Sequence, residues 1–459
     1  MAEPYKIKMV EKIYESTREE RERWIKDSEY NLFNLRSERV YIDMLTDSGT
    51  GAMSNVQWSE MFLGDESYAG ASSFYKLEKN VREIFGMRYV LPTHQGRAAE
   101  NVLFSNLIKK GDMVLGNTHF DTTKAHIEFR KGVAIDCSIE EAYDHNSLNK
   151  FKGDIDLEKL KKVICENREK VKLIVVTVTC NNAGGQPVSL ENIKKVYNIG
   201  RENGILVCFD SARFAENAYF IKEREGDYNS WEIKNIVKEM YKYCDLMTMS
   251  CKKDAIVNIG GFIGFKNEKL FQECQTYNIL FEGYNTYGGL AGRDLNAIAR
   301  GLEEVIEYDY LKSRINQVKY LADKLEEAGI PFIKPVGGHA IYIDGGKFLE
   351  NIPRDEYPAQ TLGVELYIDS GVRGVEIGTL LADRDPVTGE NRYPKFDLLR
   401  LCVPRRTYTN NHMDVVANSL INLYNKRESI KNGLKITWEA PIIRHFTVKL
   451  DKILSNNSI

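Results

Sequence analysis

The stretch Met249-Ser250-Cys251-Lys252-Lys253-Asp254 decides how the rest of the chain is read. It follows the apolar run Cys244-Asp245-Leu246-Met247-Thr248-Met249 and precedes Ala255-Ile256-Val257-Asn258-Ile259-Gly260-Gly261. Two lysines therefore stand between a strand-like segment and a glycine pair. A lysine drawn partly out of water loses proton affinity and becomes a usable amine nucleophile or base. The alternative, for this segment alone, is a solvated loop that happens to carry two lysines. Outward from it the same texture repeats. Leu173-Ile174-Val175-Val176-Thr177-Val178 is a continuous apolar strand, Ile205-Leu206-Val207-Cys208-Phe209 is a second that ends in Asp210, and Ile259-Gly260-Gly261-Phe262-Ile263-Gly264-Phe265 is another. Helical patterns, from Leu190 to Asn203 and from Trp231 to Tyr243, separate them. Strands this apolar, alternating with helices, predict a mainly parallel sheet covered on both faces. Ligands of such sheets bind beyond the C-terminal strand ends, where Asp210 and Ser250 fall.

Upstream, Tyr89-Val90-Leu91 reads as a further strand; Pro92 ends it, His94-Gln95-Gly96-Arg97 turns, and a helix opens at about Ala98. Residues 71–86 have helical periodicity, and the charged residues 9–27 predict an exposed helix. From about residue 307 the texture changes. A charged helix from Tyr310 to Ala328 leads to antiparallel-type strands at Gly338 to Asp344 and Leu398 to Val403, then a helix from Met413 to Asn425. The expected organisation is an N-terminal arm and part of a small domain in residues 1–50, a large domain in 51–306, and a small C-terminal α+β domain in 307–459. The tail, residues 455–459, is expected to fray.

The 459 residues suffice for two or three domains. With 63 basic and 66 acidic residues the net charge is -3, which leaves no electrostatic footprint for nucleic acid or an anionic membrane. No uninterrupted apolar run is long enough to span a bilayer, and the polar start lacks a signal-peptide apolar region. The 8 cysteines form no CxxC pair and no zinc-type cluster with histidine. A reducing, cytoplasmic setting is expected.

An amine-reactive cofactor such as pyridoxal phosphate needs a lysine for its aldehyde and a carboxylate against the pyridine nitrogen. It needs amide and cationic donors for its phosphate, and an aromatic face for its ring. An amino-acid substrate adds a guanidinium for its carboxylate. The chain supplies candidates in order. Gln95-Gly96-Arg97 opens a helix; Phe120 lies in His119-Phe120-Asp121; Asp210 is followed by Arg213; Ser250 and Lys252 flank Lys253; Arg405 follows a strand. Each has a simpler alternative: a helix cap for Asp210, a turn for Gly96, core for Phe120, surface for Arg405. Their joint occurrence points to the cofactor.

This order resembles the β-eliminating lyases, fold type I pyridoxal phosphate enzymes with the aspartate aminotransferase architecture. The blocks that carry the resemblance include Leu45-Thr46-Asp47-Ser48-Gly49-Thr50, Gly64-Asp65-Glu66-Ser67-Tyr68-Ala69-Gly70, Pro92 to Arg97, Ala183-Gly184-Gly185-Gln186-Pro187-Val188-Ser189, Asp210-Ser211-Ala212-Arg213, Tyr287-Gly288-Gly289-Leu290 and Pro404-Arg405. The resemblance implies an α/β fold with a large, mainly parallel seven-stranded sheet domain and a smaller α+β domain. It implies that Lys253 holds the cofactor and acts as base, and that Asp210 faces the pyridine nitrogen. Arg213 would contact the ring hydroxyl, Phe120 would stack on the ring, and Gln95, Gly96, Arg97, Ser250 and Lys252 would surround the phosphate. Arg405 would grip the substrate carboxylate with Asn181, Thr46 and Ser48, and Tyr287 would line the substrate site. Tyr68 would serve as general acid from a neighbouring subunit of a homotetramer, a dimer of dimers. Gly49, Glu66 and Asn258 would bind a potassium-type monovalent cation.

Within the family, three positions match the tryptophanase (tryptophan indole-lyase) branch rather than the tyrosine phenol-lyase branch. They are Asp121 where the latter carries threonine, Ile377 where it carries arginine, and His445 where it carries an aromatic residue. The chemistry agrees: an indole N–H is a donor that wants an acceptor such as Asp121, and Ile377 suits an indole face while offering no donor to a phenolate. The expected reaction is β-elimination of L-tryptophan to indole, pyruvate and ammonia, with phenol elimination from L-tyrosine as the alternative.

Overall fold

The computed structural model describes residues 2–385 and 387–453. The tail expected to fray lies outside them. The chain divides into two compact units: residues 48–315 with 405–407 make up nearly all of one, and residues 5–47, 316–404 and the chain from Tyr408 make up the other.

The first unit is built on seven strands: β1 (Tyr89–Thr93), β2 (Met113–Gly116), β3 (Val133–Asp136), β4 (Val171–Thr177), β5 (Leu206–Asp210), β6 (Leu246–Ser250) and β7 (Gly261–Phe265). Their order across the sheet is β1-β7-β6-β5-β4-β2-β3. Only β7 pairs antiparallel, with β1 on one side and β6 on the other. The reversal has a simple cause. The link from Cys251 to Gly260 is too short to house the crossover a parallel return needs. Every residue of β6 is buried, and β4 is buried except at Lys172. Each such apolar side chain contributes about 1.5–3 kcal/mol on leaving water.

Helices cover both faces. Ser72–Phe85 buries Phe74, Leu77, Val81 and Ile84 along one stripe, then ends at Gly86 with φ 71°. Leu190–Asn203 is capped by the Ser189 hydroxyl, which accepts from the Asn192 amide, and it stops at Gly204. Two further helices matter for the site: α1 (Gly96–Leu107) and α2 (Asp121–Phe129).

In the second unit, β8 (Ala340–Asp344), β9 (Val375–Ile377) and β10 (Leu398–Cys402) form an antiparallel sheet in the order β9-β10-β8. One face, with Ile341, Ile343, Leu399, Leu401 and Val403, joins the main core of this unit. The other carries Tyr342, Ile377, Leu398 and Cys402. The charged N-terminal segment departs from expectation, because helix begins only at Arg18. Thr17 sets that boundary with a capping box: its hydroxyl accepts from the Glu20 amide at 3.2 Å and its own amide donates to the Glu20 carboxylate at 2.9 Å. Among the described residues, no helix is long and apolar enough to cross a membrane.

Candidate active site

Strand register gathers the chemistry at one edge. Asp210 pairs across to Thr177 on β4 and to Thr248 on β6, so the ends of β4, β5 and β6 lie side by side. Beyond β6 the chain turns tightly, with the Lys253 amide donating to Ser250 O at 3.4 Å and the Ile256 amide to Lys253 O at 2.9 Å. The Lys253 Nζ donates to the Ser250 hydroxyl at 2.9 Å. Lysine 253 is thus half-buried and aimed by a neighbour.

The α1 N-terminus meets the same turn. A Cβ on Gly96 would lie 2.6 Å from the Ser250 Cβ, so only glycine permits this approach. The Gly260 amide donates to His94 O at 2.7 Å and fixes the start of α1 against the link between β6 and β7. Lys252 has its proton affinity lowered by burial first and by Arg97 second. Two cations beside the positive end of a helix form a cradle suited to a phosphate. The Gly49 amide donates to Lys252 O at 2.7 Å, which brings the turn after Ser48 to this edge.

Burial raises the Asp210 carboxyl, while the Ala212 amide, Lys253 and Arg213 pull it down. A carboxylate so placed favours a protonated pyridine nitrogen as partner. Asn181 is buried, its amide donating to Asn182 at 3.0 Å, and Asn182 in turn donates to His119 O at 2.7 Å. That link fixes the backbone just before Phe120, the residue that caps α2. Lysine, carboxylate, amide cradle and ring-side phenylalanine fit pyridoxal phosphate.

Glu100, on α1, was not singled out in the sequence. It is buried and accepts from the hydroxyls of Thr122, at 2.7 Å, and Thr123. It thereby pins the first turn of α2 behind Phe120 and Asp121. Burial first, and Asp210 next, push its carboxyl up to about 7. An unfolded glutamate titrates near ~4.3. The folded state therefore keeps a proton that the unfolded state gives up, so this stabilisation is full below that value and is lost as pH rises to about 7. Melting temperature should fall across that window, and Glu100→Gln, which cannot ionise, should make the slope shallower. An unchanged slope would refute the assignment.

Arg405 is not at the surface but 1% exposed, and its Nη2 donates to Glu216 at 2.7 Å and to Asp254 at 2.9 Å. Arg314 joins the same cluster, 3.3 Å from Glu216. Two buried carboxylates thus hold one end of the Arg405 guanidinium and make this side chain part of the frame around Lys253. Asp254 also accepts from the Ala215 amide at 2.8 Å, in the first turn of the helix Phe214–Arg224. The cluster thus anchors the backbone next to Lys253.

The remaining expected residues are dispersed. Tyr68 is 71% exposed and stacks near Tyr284 and Tyr287, with ring centroids 5.7 and 5.2 Å away. Glu66 pairs with Arg293 at 3.3 Å, while Asn258 donates to Gly49 O at 3.1 Å. Thr46, Ile377 and His445 belong to the second unit. Ile377 is 8% exposed in an apolar cluster, and His445 packs on Phe446 at 4.0 Å between ring centroids.

Fold and site together define an aspartate aminotransferase-like enzyme of fold type I, the class that uses pyridoxal phosphate. Solved structures agree on the fold: a serine palmitoyltransferase from S. paucimobilis is similar at TM-score 0.58 and 12% identity, covering 85% of this chain and 88% of that one. The SepCysS–SepCysE N-terminal domain complex is similar at TM-score 0.56 and 16% identity, covering 85% and 96%. More particularly, the chain belongs to the β-eliminating lyase family, whose model matches residues 43–419. A "Probable beta-eliminating lyase" of Trichomonas vaginalis is 58% identical over 98% of this chain and 99% of its own length. A tyrosine phenol-lyase of Symbiobacterium thermophilum is 50% identical over 98% and 99%. One of Pasteurella multocida is 50% identical over 98% and 98%.

Proposed function

We propose that this lyase cleaves the side chain of an aromatic L-amino acid, releasing the arene, pyruvate and ammonia. The carrying observation is Lys253, aimed by Ser250 and set beside Asp210 and the α1 cradle at one sheet edge. Gln95, Gly96, Arg97, Ser250 and Lys252 hold the phosphate, Phe120 stacks on the ring, and Asn181, Asp210 and Arg213 hold its polar edge. Pyridoxal phosphate, when bound, supplies the electron sink for the pair left by the α-proton. The Lys253 Nζ takes that proton, and Ser250 keeps the amine oriented. Arg405 binds the substrate carboxylate, with Asn181, Thr46 and Ser48. The Tyr68 hydroxyl gives a proton to the leaving ring carbon, from a neighbouring subunit of a tetramer. Tyr287, packed on Tyr68, orients it. Gly49, Glu66 and Asn258 serve a monovalent cation such as potassium.

For the leaving group, phenol from L-tyrosine has the support of relatives: those at about half identity across the whole chain carry that name. Indole from L-tryptophan is the second reading, favoured by Ile377 in its apolar cluster, where no guanidinium meets a phenolate, and by Asp121 as acceptor for an indole N–H. A side-by-side assay of pyruvate release decides. Faster turnover of tyrosine confirms the first reading and faster turnover of tryptophan the second, whereas no release from either ends the proposal.

A further inference from the structure

In the second unit, β9 is followed by the segment Gly378–Leu381, and its backbone is gripped from two sides by charged groups. Glu376 and Asp397 are buried, at 3% and 4% exposure. They converge on Gly378, where a Cβ would lie 1.9 Å from the Asp397 Oδ1 and 2.7 Å from the Glu376 Oε1. The Leu380 and Leu381 amides donate to Glu376 at 3.0 and 3.1 Å. The Thr379 amide donates to Asp397 at 3.0 Å. The other Asp397 oxygen accepts from the Ala359 amide at 3.1 Å, in the first turn of the helix Pro358–Ser370.

The carbonyls of the same residues are taken by Arg444, which is 1% exposed. Its Nε donates to Leu380 O at 3.0 Å and its Nη2 to Thr379 O at 2.6 Å, while Nη1 pairs with Glu439 at 2.8 Å. Asp383 accepts from the Ile443 and Arg444 amides at 2.8 and 3.0 Å. The amides of Thr379 and Leu380 are thus held by buried carboxyl groups and their carbonyls by a guanidinium. Charge-assisted bonds in a buried setting are the strongest a backbone makes, and losing one leaves an unpaired buried group. The segment cannot slide without breaking several at once.

Its two ends matter. Ile377 immediately precedes the gripped loop, and His445 immediately follows Arg444. These are two of the three positions at which the leaving group is read. We infer that Glu376, Asp397, Asp383 and Arg444 are positioning residues that set leaving-group selectivity by holding Ile377 and His445 in fixed register. None of them touches substrate. The inference rests on the aromatic β-elimination proposed above.

Protonation tunes the frame. Burial first, and Asp397 second, push Glu376 up to about 8, so one proton keeps two adjacent acids compatible at neutral pH. Asp344 and Arg354 face Asp397, while Glu439 and Asp383 face Arg444. As pH rises through that value the second charge forms and the segment loosens.

The test uses holoenzyme of the wild type, Glu376→Gln and Asp383→Asn, both near-isosteric. Each is assayed with tyrosine, tryptophan and S-methylcysteine, whose small thiol leaving group needs no ring contacts. In Asp383→Asn the aromatic kcat/KM should fall about tenfold more than that of S-methylcysteine, the scale of a sub-ångström misplacement, while Glu376→Gln, which copies the protonated acid, should match wild type near neutral pH. Wild-type aromatic selectivity should also decline above pH about 8, where Glu376 loses its proton, and Glu376→Gln should lack that decline. Equal losses on all three substrates or no loss in Asp383→Asn, or a decline above pH about 8 that persists in Glu376→Gln, overturns the inference. Its failure is distinct from that of the proposed function, which falls when wild-type enzyme cleaves S-methylcysteine but neither aromatic substrate.

Discussion

Replacing Lys253 with alanine is expected to leave a folded protein that, after reconstitution with pyridoxal phosphate, lacks the near-visible band of a lysine-bound cofactor. Elimination should fall by about 10³-fold or more, since both the covalent anchor and the base are lost. Folding should survive because the local backbone does not depend on this side chain. Its position is set by the Asp254 carboxylate, through the Ala215 amide at 2.8 Å and Arg405 at 2.9 Å, and by the Gly260 amide on His94. The amine donates to the Ser250 hydroxyl, a bond that water can replace. Absorption spectra and a melting curve of the same preparation make the check. An unchanged band would sink the assignment of Lys253.

Arg405→Met should differ in one respect, adding a clear loss of stability to any loss of activity. Methionine approximates the volume of the arginine stem but removes the positive charge between Glu216 and Asp254, which are both fully buried. Burial already lifts the Asp254 carboxyl to about 7 even with Arg405 pulling it down. Removing one partner of a buried ion cluster costs about 3–5 kcal/mol, because the remaining charge has neither water nor a counterion. Denaturant titration should show that loss as an earlier midpoint. A variant of unaltered stability would refute the part of Arg405 in the buried cluster. Because Asp254 adjoins Lys253, loosening there should also weaken cofactor retention.

These two neighbouring predictions show how unevenly the site could be read. Lys253, Asp210, Gly96 and Ser250 were legible because each stands at a strand end or helix start, and such positions follow from local apolar runs and turns. Strand and helix patterns placed Leu190–Asn203 and the ends of β5 and β6 nearly to the residue. The start of the N-terminal helix was missed because charge density outweighed the capping signal at Thr17. Antiparallel β7 was missed because direction depends on link length, not on the strand's own residues.

Glu100, Glu376 and Asp397 had no local signature, since a glutamate in a helix or beside a glycine reads as solvated. Arg405 looked superficial for the same reason, and its carboxylate partners lie 151 and 189 residues away in sequence. The alternation of apolar runs and helices, the turn chemistry and the family motifs belong to the chain as written, because they arise from interactions a few residues apart. Which charges are buried, which arginine is already paired, and which acids must share a proton were decided only by packing. Burial raises the cost of an unpaired charge by several kcal/mol, and no local pattern of residues records where the chain will be buried.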